Sequence, residues 1–357
     1  TAKQEAFRKQ LEEMGRVVQW STTDLRRPPG SRSDSDKPPA IHIVTDAAGS
    51  ITRQDAVRVG VTLLDSYIVV GDKSLPETVI DPAEIYALMR RGVRVTTAQA
   101  SVFERHQRYQ SIISRYGTAL YLCVGSVYTG NYREAAAWKE NDDPDNRLTV
   151  IDTGLASGRL GIVALATARY AGQADRAEEV VRFAAAAVRR SAEYVFLDRL
   201  QYLVAGGRLS KAKGYFGDFF HLKPVISPTA AGAVKAGTVR NQDEQLEFAL
   251  EKLAKDLKPD AGRLILLEYS DNRRWVEDTV LQEIETLPGV WTAGAWRGDR
   301  WIDVEKGLFI HSPRRRQTSP EPQILIMVEK PLALTVDACR AVTETVEKSG
   351  VKLMTAF

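Results

Sequence analysis

The chain has 357 residues, of which 44% are hydrophobic and 27% charged, a composition typical of a globular protein with a packed core. Its 49 basic and 46 acidic residues give a net charge of +3, so the charge balance gives no indication of nucleic-acid or membrane binding. Two cysteines are too few for a disulfide framework and favour a reducing, cytoplasmic location, and no apolar run approaches the ~20 residues that span a bilayer.

Three regions differ in composition along the chain. Residues 1–40 predict a leading helix followed by a linker, because four prolines among Ser, Asp and Arg cannot build a packed element. We expect an N-terminal α/β domain over residues 41–154. A C-terminal α/β domain with an extended tail is expected over residues 155–357.

Predicted strands and helices alternate through the globular part of the chain. The β-rich runs lie at residues 41–46, 61–70, 93–96, 119–124, 148–152, 194–197, 264–269 and 323–329, with a hairpin at 224–239. Helical periodicity covers residues 82–90, 103–115, 133–139, 158–171, 176–190 and 244–257. This alternation favours a parallel or mixed sheet with helices on both faces.

Four polar loops follow predicted strands, at residues 45–50, 96–101, 125–132 and 152–159. Ligands of open α/β sheets bind beyond the carboxyl ends of the strands, where these loops lie. Their hydroxyls and glycines suit anion binding, but no His lies among them to support acid–base chemistry. A binding protein therefore fits these loops better than an enzyme, and Asp46 in the first loop is equally well a helix cap or a turn residue.

Neither a metal nor a cofactor is expected. The chain has four scattered histidines and no paired Cys or His spacing; the histidines are His42, His106, His221 and His311. A Walker-type loop and a G-x-G-x-x-G after the first strand are both missing from the sequence, which disfavours ATP and NAD.

A glycine pair introduces a second candidate site. Gly206 and Gly207 are followed by Arg208 and Ser210, and aromatic residues at 215–220 predict a short amphipathic helix. A turn, a cation, a hydroxyl and an apolar helix suit a ligand with an anionic head and an apolar body. Taken alone, the stretch is better interpreted as a turn into a surface helix.

Together these loops resemble those of the DegV family of bacterial fatty-acid-binding proteins. The similar motifs keep their order and spacing from about residue 41 to residue 241. They are Ile43-Val44-Thr45-Asp46-Ala47-Ala48 (family I-V-T-D-S-A), Thr97-Ala98-Gln99-Ala100-Ser101 (T-S-Q-P-S), Thr129-Gly130-Asn131-Tyr132 (S-G-T-Y), Val150-Ile151-Asp152 with Ser157-Gly158 (V-I-D-S and S-x-G), Gly206-Gly207-Arg208-Leu209-Ser210 (G-G-R-I-S), Leu222-Lys223-Pro224-Val225-Ile226 (I-K-P-I) and Val239-Arg240 (K-V-R-G).

The resemblance implies two α/β domains with a long-chain fatty acid in a tunnel between them. Thr97 and Thr129 would hydrogen-bond its carboxylate, and Arg208 and the more peripheral Arg240 would supply positive charge. We expect Asp46 at the same head-group site. His311 is the nearest counterpart of the histidine in the family's H-T-G-P-G loop, although both glycines of that loop are missing from this sequence.

The resemblance also implies a partner. Family members present their fatty acid to a separate ATP-dependent kinase that forms an acyl phosphate, so we expect a non-catalytic carrier subunit whose only ligand is the fatty acid. The start at Thr1, the leading helix and the linker fit a piece cut from a fusion with a kinase-like domain. Two alternatives stay open: a hydrolase or phosphotransferase that uses Asp46, and a regulatory or scaffold domain that has lost its ligand.

Overall fold

The computed structural model describes residues 39–198, 222–256, 263–269 and 272–285, and three strands at 303–304, 307–311 and 323–328. These residues all belong to one compact unit. The predicted leading helix and linker, the segment from Gly206 to the aromatic helix, and the tail lie outside the described residues. In the part of the chain that the structure describes, no helix has both the length and the hydrophobicity to cross a membrane.

The strands are numbered in chain order. They are β1 (His42–Asp46), β2 (Val61–Leu64), β3 (Tyr67–Val70), β4 (Lys73–Pro76), β5 (Val95–Ala98), β6 (Ala119–Cys123), β7 (Leu148–Asp152), β8 (Ser191–Phe196), β9 (Lys223–Thr229), β10 (Gly232–Val239), β11 (Arg263–Glu268), β12 (Asp303–Val304), β13 (Gly307–His311) and β14 (Gln323–Val328).

The helices are numbered in the same way. They are α1 (Arg53–Val59), α2 (Pro82–Arg90), α3 (Val102–Tyr116), α4 (Asn131–Asp142), α5 (Ser157–Ala171), α6 (Ala177–Arg190), α7 (Gln242–Asp256), α8 (Arg273–Trp275) and α9 (Leu281–Glu285). A π-helical turn at Val276–Val280 joins α8 to α9, and 3₁₀ turns lie at Ala47–Gly49 and Glu77–Val79.

The first sheet is parallel, with strand order β2-β1-β6-β7. Its two central strands, β1 and β6, are buried along their whole length, as parallel strands covered on both faces must be. Aromatic and aliphatic side chains of α3 and α4 pack on one face, and α5 covers the other. The predicted α/β class is confirmed, and the carboxyl ends of all four strands meet at one edge.

The predicted single strand at residues 61–70 is wrong, because the chain turns at Asp65 and Ser66. Strand β2 joins the parallel sheet, whereas β3 pairs antiparallel with β4 and β5 in a separate three-stranded sheet. The turn is fixed by Asp65, which accepts hydrogen bonds from the Thr78 backbone N and from Arg53. Strand β5 begins two residues later than predicted, which places Thr97 within it.

A mixed sheet has the order β10-β9-β8-β14-β11-β13-β12. Its centre, β8-β14-β11, is parallel, and the outer pairs are antiparallel. The predicted hairpin is confirmed as β9 and β10, with Gly232 at a φ of 104° beside the turn. That positive φ is the reason a glycine occupies the position.

Helix α5 packs against both large sheets, contacting β1 of the first and β14 of the second. Ten of its residues are buried, so it is apolar on nearly all sides, as a helix between two layers must be. One continuous core therefore contains Ile43 and Leu120 from the parallel sheet with Val195 and Leu266 from the mixed sheet. The expected boundary between residues 154 and 155 falls directly before this shared helix and stays a prediction.

A buried histidine at the start of β1 predicts a pH dependence of stability. His42 stacks on Tyr116 with ring centroids 3.5 Å apart and contacts Thr62 Oγ1 through Nε2 at 2.7 Å. Burial, and then Arg115, lower the pKa of His42 to about 4. The unfolded chain binds the proton near pH 6.5 and the folded chain does not, so stability should fall as the pH drops from about 6.5 to about 4.

His42→Phe should remove part of that slope. The contribution of His42 is about 1 kcal/mol per pH unit within the window, and Phe retains the stacking while it cannot titrate. Urea unfolding of both proteins at several pH values measures it. Parallel pH profiles for the two proteins would contradict this assignment.

Candidate functional site

Asp46 ends β1 at the carboxyl edge of the parallel sheet and is completely buried. Its Oδ1 accepts hydrogen bonds from Arg105 Nη1 at 3.1 Å, Tyr121 OH at 2.6 Å and Asn131 Nδ2 at 2.8 Å. Its Oδ2 accepts from the Val124 backbone N at 2.8 Å. The carboxylate thus joins β1, α3, β6 and α4 and is fully engaged by the protein's own donors.

The charge of Asp46 is balanced by Arg105, which is 2% exposed. Burial alone would lower the pKa of Arg105, but Asp46, Tyr121 and Tyr109 together outweigh it and the net direction is upward. Burial, reinforced by Asp46, holds the pKa of Tyr121 well above its usual value, so this hydroxyl stays a donor. A hydrolase or phosphotransferase would need an Asp46 carboxylate that a substrate can reach, and the structure places it behind four donors.

Asn131 connects this buried carboxylate to the loop after β5. Its Oδ1 accepts a hydrogen bond from Gln99 Nε2 at 2.6 Å. A reversed Gln99 amide would let its oxygen accept from two backbone donors, Gly130 N at 2.9 Å and Asn131 N at 3.2 Å, but would bring two acceptor oxygens to 2.6 Å. Because Asp46 requires Asn131 Nδ2 as its donor, Asn131 Oδ1 must face Gln99, and we assign Nε2 as the donating atom.

The two predicted hydroxyls lie on either side of this contact. Thr97 is exposed, pairs with Ile68 near the end of β5 and lies two residues before Gln99. Thr129 is half-buried two residues before Asn131, and its Oγ1 accepts from the Asn131 backbone N at 3.3 Å. An oxygen that already accepts leaves its hydroxyl hydrogen available for a ligand.

The third and fourth loops are fastened to each other. Asp152 Oδ1 accepts from Ser126 N at 2.9 Å, and Gly125 N donates to Leu155 O at 2.7 Å. A Cβ on Gly125 would lie 2.7 Å from the backbone of Gly154, so only glycine permits this approach. The carboxyl edge of β6 and β7 is therefore one rigid surface.

The same loops reach the β9–β10 hairpin of the mixed sheet. Tyr128 OH donates to Thr229 O at 2.8 Å and accepts from Thr229 N at 2.9 Å. Arg159, in the first turn of α5, donates to Pro228 O at 3.0 Å and to Ser191 Oγ at 2.9 Å. Burial lowers the pKa of Arg159, although Glu193 opposes the shift. These contacts hold the hairpin against the hydroxyl-rich edge.

Sequence reasoning missed Arg105, Tyr128 and Arg159 as residues that organise the site. A signal for Arg105 was present, because Arg105, Tyr109 and Ile112 recur at helical spacing and all are buried on α3. Nothing in the local sequence marks Arg159, whose acceptors come from residues about 30 and 70 positions away.

The remaining predicted residues are Arg208, Arg240 and His311. Arg240 follows β10, is mostly exposed and donates to Glu244 at 3.1 Å, which fastens the start of α7. His311 ends β13 and pairs with Leu264 in β11. Arg208 lies outside the described residues. In the described part of the chain, no three His, Cys, Asp or Glu side chains are grouped to hold a metal ion.

The fold and the site define an α/β protein with a hydroxyl-rich, rigidly fastened strand edge and a buried Asp–Arg pair behind it. The family model for DegV proteins, whose description calls them uncharacterised, matches residues 40–292, well over half of the chain. This chain belongs to the DegV family.

The relatives extend the comparison to curated sequences and solved structures. A DegV domain-containing protein of Caldanaerobacter subterraneus is 26% identical over 67% of this chain and 85% of its own. DegV of Bacillus subtilis, described as a fatty acid binding protein, superposes with a TM-score of 0.62 at 18% identity, covering 82% of this chain and 93% of its own. A DegV family protein of Thermus thermophilus, described by its fatty acid binding, gives 0.59 at 22% identity, covering 69% and 88%.

Proposed function

We propose that this chain binds a long-chain fatty acid and holds its carboxylate between Thr97 and Thr129. The observation that carries the proposal is the Gln99–Asn131 contact, which joins the loop directly after Thr97 and β5 to the loop that carries Thr129. Fatty acid binding by the Bacillus subtilis and Thermus thermophilus relatives supports the choice of ligand.

The chemistry of the two hydroxyls suits a carboxylate. Each hydroxyl offers one proton to an anionic oxygen, and a hydrogen bond to a charged group is worth about 1.5–3 kcal/mol. Asp46 does not contact the ligand in this proposal, because it is completely buried and two carboxylates would repel. Its role is structural, because it holds the backbone at Val124 and the side chain of Asn131 in place.

The acyl chain occupies a tunnel between the regions 41–154 and 155–357. Each buried methylene contributes roughly 0.8 kcal/mol, so a long chain can bind tightly without any chemistry. Arg208, His311 and, at the rim, Arg240 are assigned to the positive side of the head-group site. A buried carboxylate needs such a partner, since otherwise it takes up a proton.

The bound fatty acid is presented to an ATP-dependent kinase, a separate subunit or a fused kinase-like domain, which phosphorylates the carboxylate. The chain itself is cytoplasmic and non-catalytic and uses no cofactor. This role is consistent with strand-end loops that hold hydroxyls and amides, while the carboxylate of the first loop, Asp46, is completely buried.

Valine substitution of the two hydroxyls tests the proposal. Thr97→Val and Thr129→Val should each lower fatty acid affinity about 10- to 100-fold, because each removes one hydrogen bond to a charged oxygen while keeping the side-chain shape. Thr149→Val, at a half-buried position in β7, is the matched control and should bind normally. Titration with a C16 or C18 fatty acid measures affinity.

Mass spectrometry of the purified chain, native and after organic extraction, gives the second readout. A stoichiometric C14 to C18 fatty acid is expected, and the loaded chain with a bacterial fatty acid kinase and ATP should yield acyl phosphate. A chain that carries no lipid and ignores added fatty acid would sink the proposal and favour the scaffold alternative. Fatty acid binding without acyl phosphate formation would contradict only the proposed kinase partner and leave the proposed ligand standing.

A further inference from the structure

Asn131 stands between the most buried and the most exposed members of the head-group site. Its side chain is 2% exposed, donates to the fully buried Asp46 and accepts from the exposed Gln99. Its backbone N donates to Thr129 Oγ1. One residue therefore contacts Thr129, the loop that follows Thr97, and the carboxylate of Asp46.

We propose that Asn131 is a positioning residue that sets the separation of the Thr97 and Thr129 hydroxyls and so selects an anionic, two-oxygen head group. The inference rests on the proposed function and deepens it, since the ligand contacts themselves belong to the two threonines. Asp46 holds the Asn131 side chain in place, and Asn131 in turn holds Gln99 in the loop after β5.

The contacts explain why this linkage should control spacing. Thr97 lies two residues before Gln99, and Thr129 Oγ1 accepts from the Asn131 backbone N, so the Gln99–Asn131 hydrogen bond joins the two segments that carry the hydroxyls. A carboxylate that is bound through both oxygens needs two donors at one separation. A head group with a single oxygen, such as an alcohol, makes one hydrogen bond and is indifferent to that separation.

The anchor is stiff because it is buried and saturated. Arg105 and Tyr121 hold the Asp46 oxygen that Asn131 contacts, and Val124 N holds the other. Gln99 is exposed, and without Asn131 its loop is left without this side-chain contact to α4. Loss of the linkage should weaken discrimination between head groups rather than binding of the acyl chain.

Palmitic acid and hexadecanol, each titrated into the full chain, separate positioning from general stability. Asn131→Ala and Gln99→Ala should each lower palmitic acid affinity about 5- to 10-fold and leave hexadecanol affinity within twofold. The double variant should lose no more than the weaker-binding single variant, because both substitutions cut the same linkage. Asn141→Ala, an exposed position on the same helix, should change neither affinity.

The outcomes distinguish a failure of fatty acid binding from a failure of the positioning role of Asn131. If the wild-type chain binds neither ligand, the proposed function fails. If it binds palmitic acid and both variants match it, or if both variants lose acid and alcohol equally, the positioning role is overturned. Gln99→Ala keeps the test decisive should Asn131→Ala fold poorly, since Gln99 is exposed and its substitution leaves the buried network intact.

Discussion

Asp46→Ala is expected to destabilise the protein by about 3–5 kcal/mol, because it leaves the buried Arg105 guanidinium without its partner carboxylate. Tyr121 OH, Val124 N and Asn131 Nδ2 lose an acceptor at the same time. A buried donor left unsatisfied costs a further 1–3 kcal/mol or so, although water entering the cavity would offset part of it. Equilibrium unfolding in urea measures the change.

Two further variants make that result specific to the buried pair. Arg274→Ala removes an exposed pair with Asp278 and should leave the unfolding midpoint unchanged. Asp46→Ala combined with Arg105→Met should recover part of the loss, because no uncompensated charge stays buried. If Asp46→Ala unfolds at the wild-type urea concentration, the carboxylate is not the anchor that the site requires.

Gly161→Ala is expected to cost about 3 kcal/mol or more, because a Cβ at this position in α5 would overlap the carbonyl oxygen of Gly49. It would also lie 2.9 Å from Cγ1 of Ile51. The overlapped atom belongs to the backbone of the 3₁₀ turn after β1, so a rotamer change cannot relieve it. The gain in helix propensity from Gly to Ala, about 1 kcal/mol, is too small to offset the overlap.

Gly172→Ala, at the end of the same helix, is expected to change stability in the opposite direction. Gly172 caps α5 with a φ of −69°, and its added Cβ would come no closer than 3.5 Å to another atom. This substitution should stabilise the protein by a few tenths of a kcal/mol to 1 kcal/mol, since it restricts the unfolded chain. Thermal unfolding of both variants checks the pair; equal midpoints would show that α5 can move away from the turn.

Much of the local structure was predictable from the sequence because it depends on short-range patterns. The buried strand β6 is a continuous apolar run, β1 is rich in β-branched residues, and the hairpin of β9 and β10 has its glycine where the backbone needs a positive φ. The same reasoning wrongly predicted a single strand at residues 61–70. Apolar residues flank the polar pair Asp65-Ser66 on both sides, and the hydrogen bonds from Arg53 and Thr78 that fix the turn come from 12 and 13 residues away.

The candidate site was likewise predictable only in part. The hydroxyl residues Thr97 and Thr129 were identified from loop composition and from motif order, and their role as ligands of a carboxylate stays a prediction. The partners of Asp46 were not predictable, because they come from positions 59 to 85 residues away. A sequence pattern reports on neighbours within a few residues and carries no distance between α3 and α4.

The sequence by itself determined the α/β class, the polar strand-end loops and the family, since each of these depends on residue order. The tertiary structure alone decided that Asp46 is completely buried at the strand edge and that Asn131 connects it to Gln99. The physical reason is burial. A carboxylate that leaves water must collect donors from wherever the fold brings them, and those donors become known only once the strands and helices are packed.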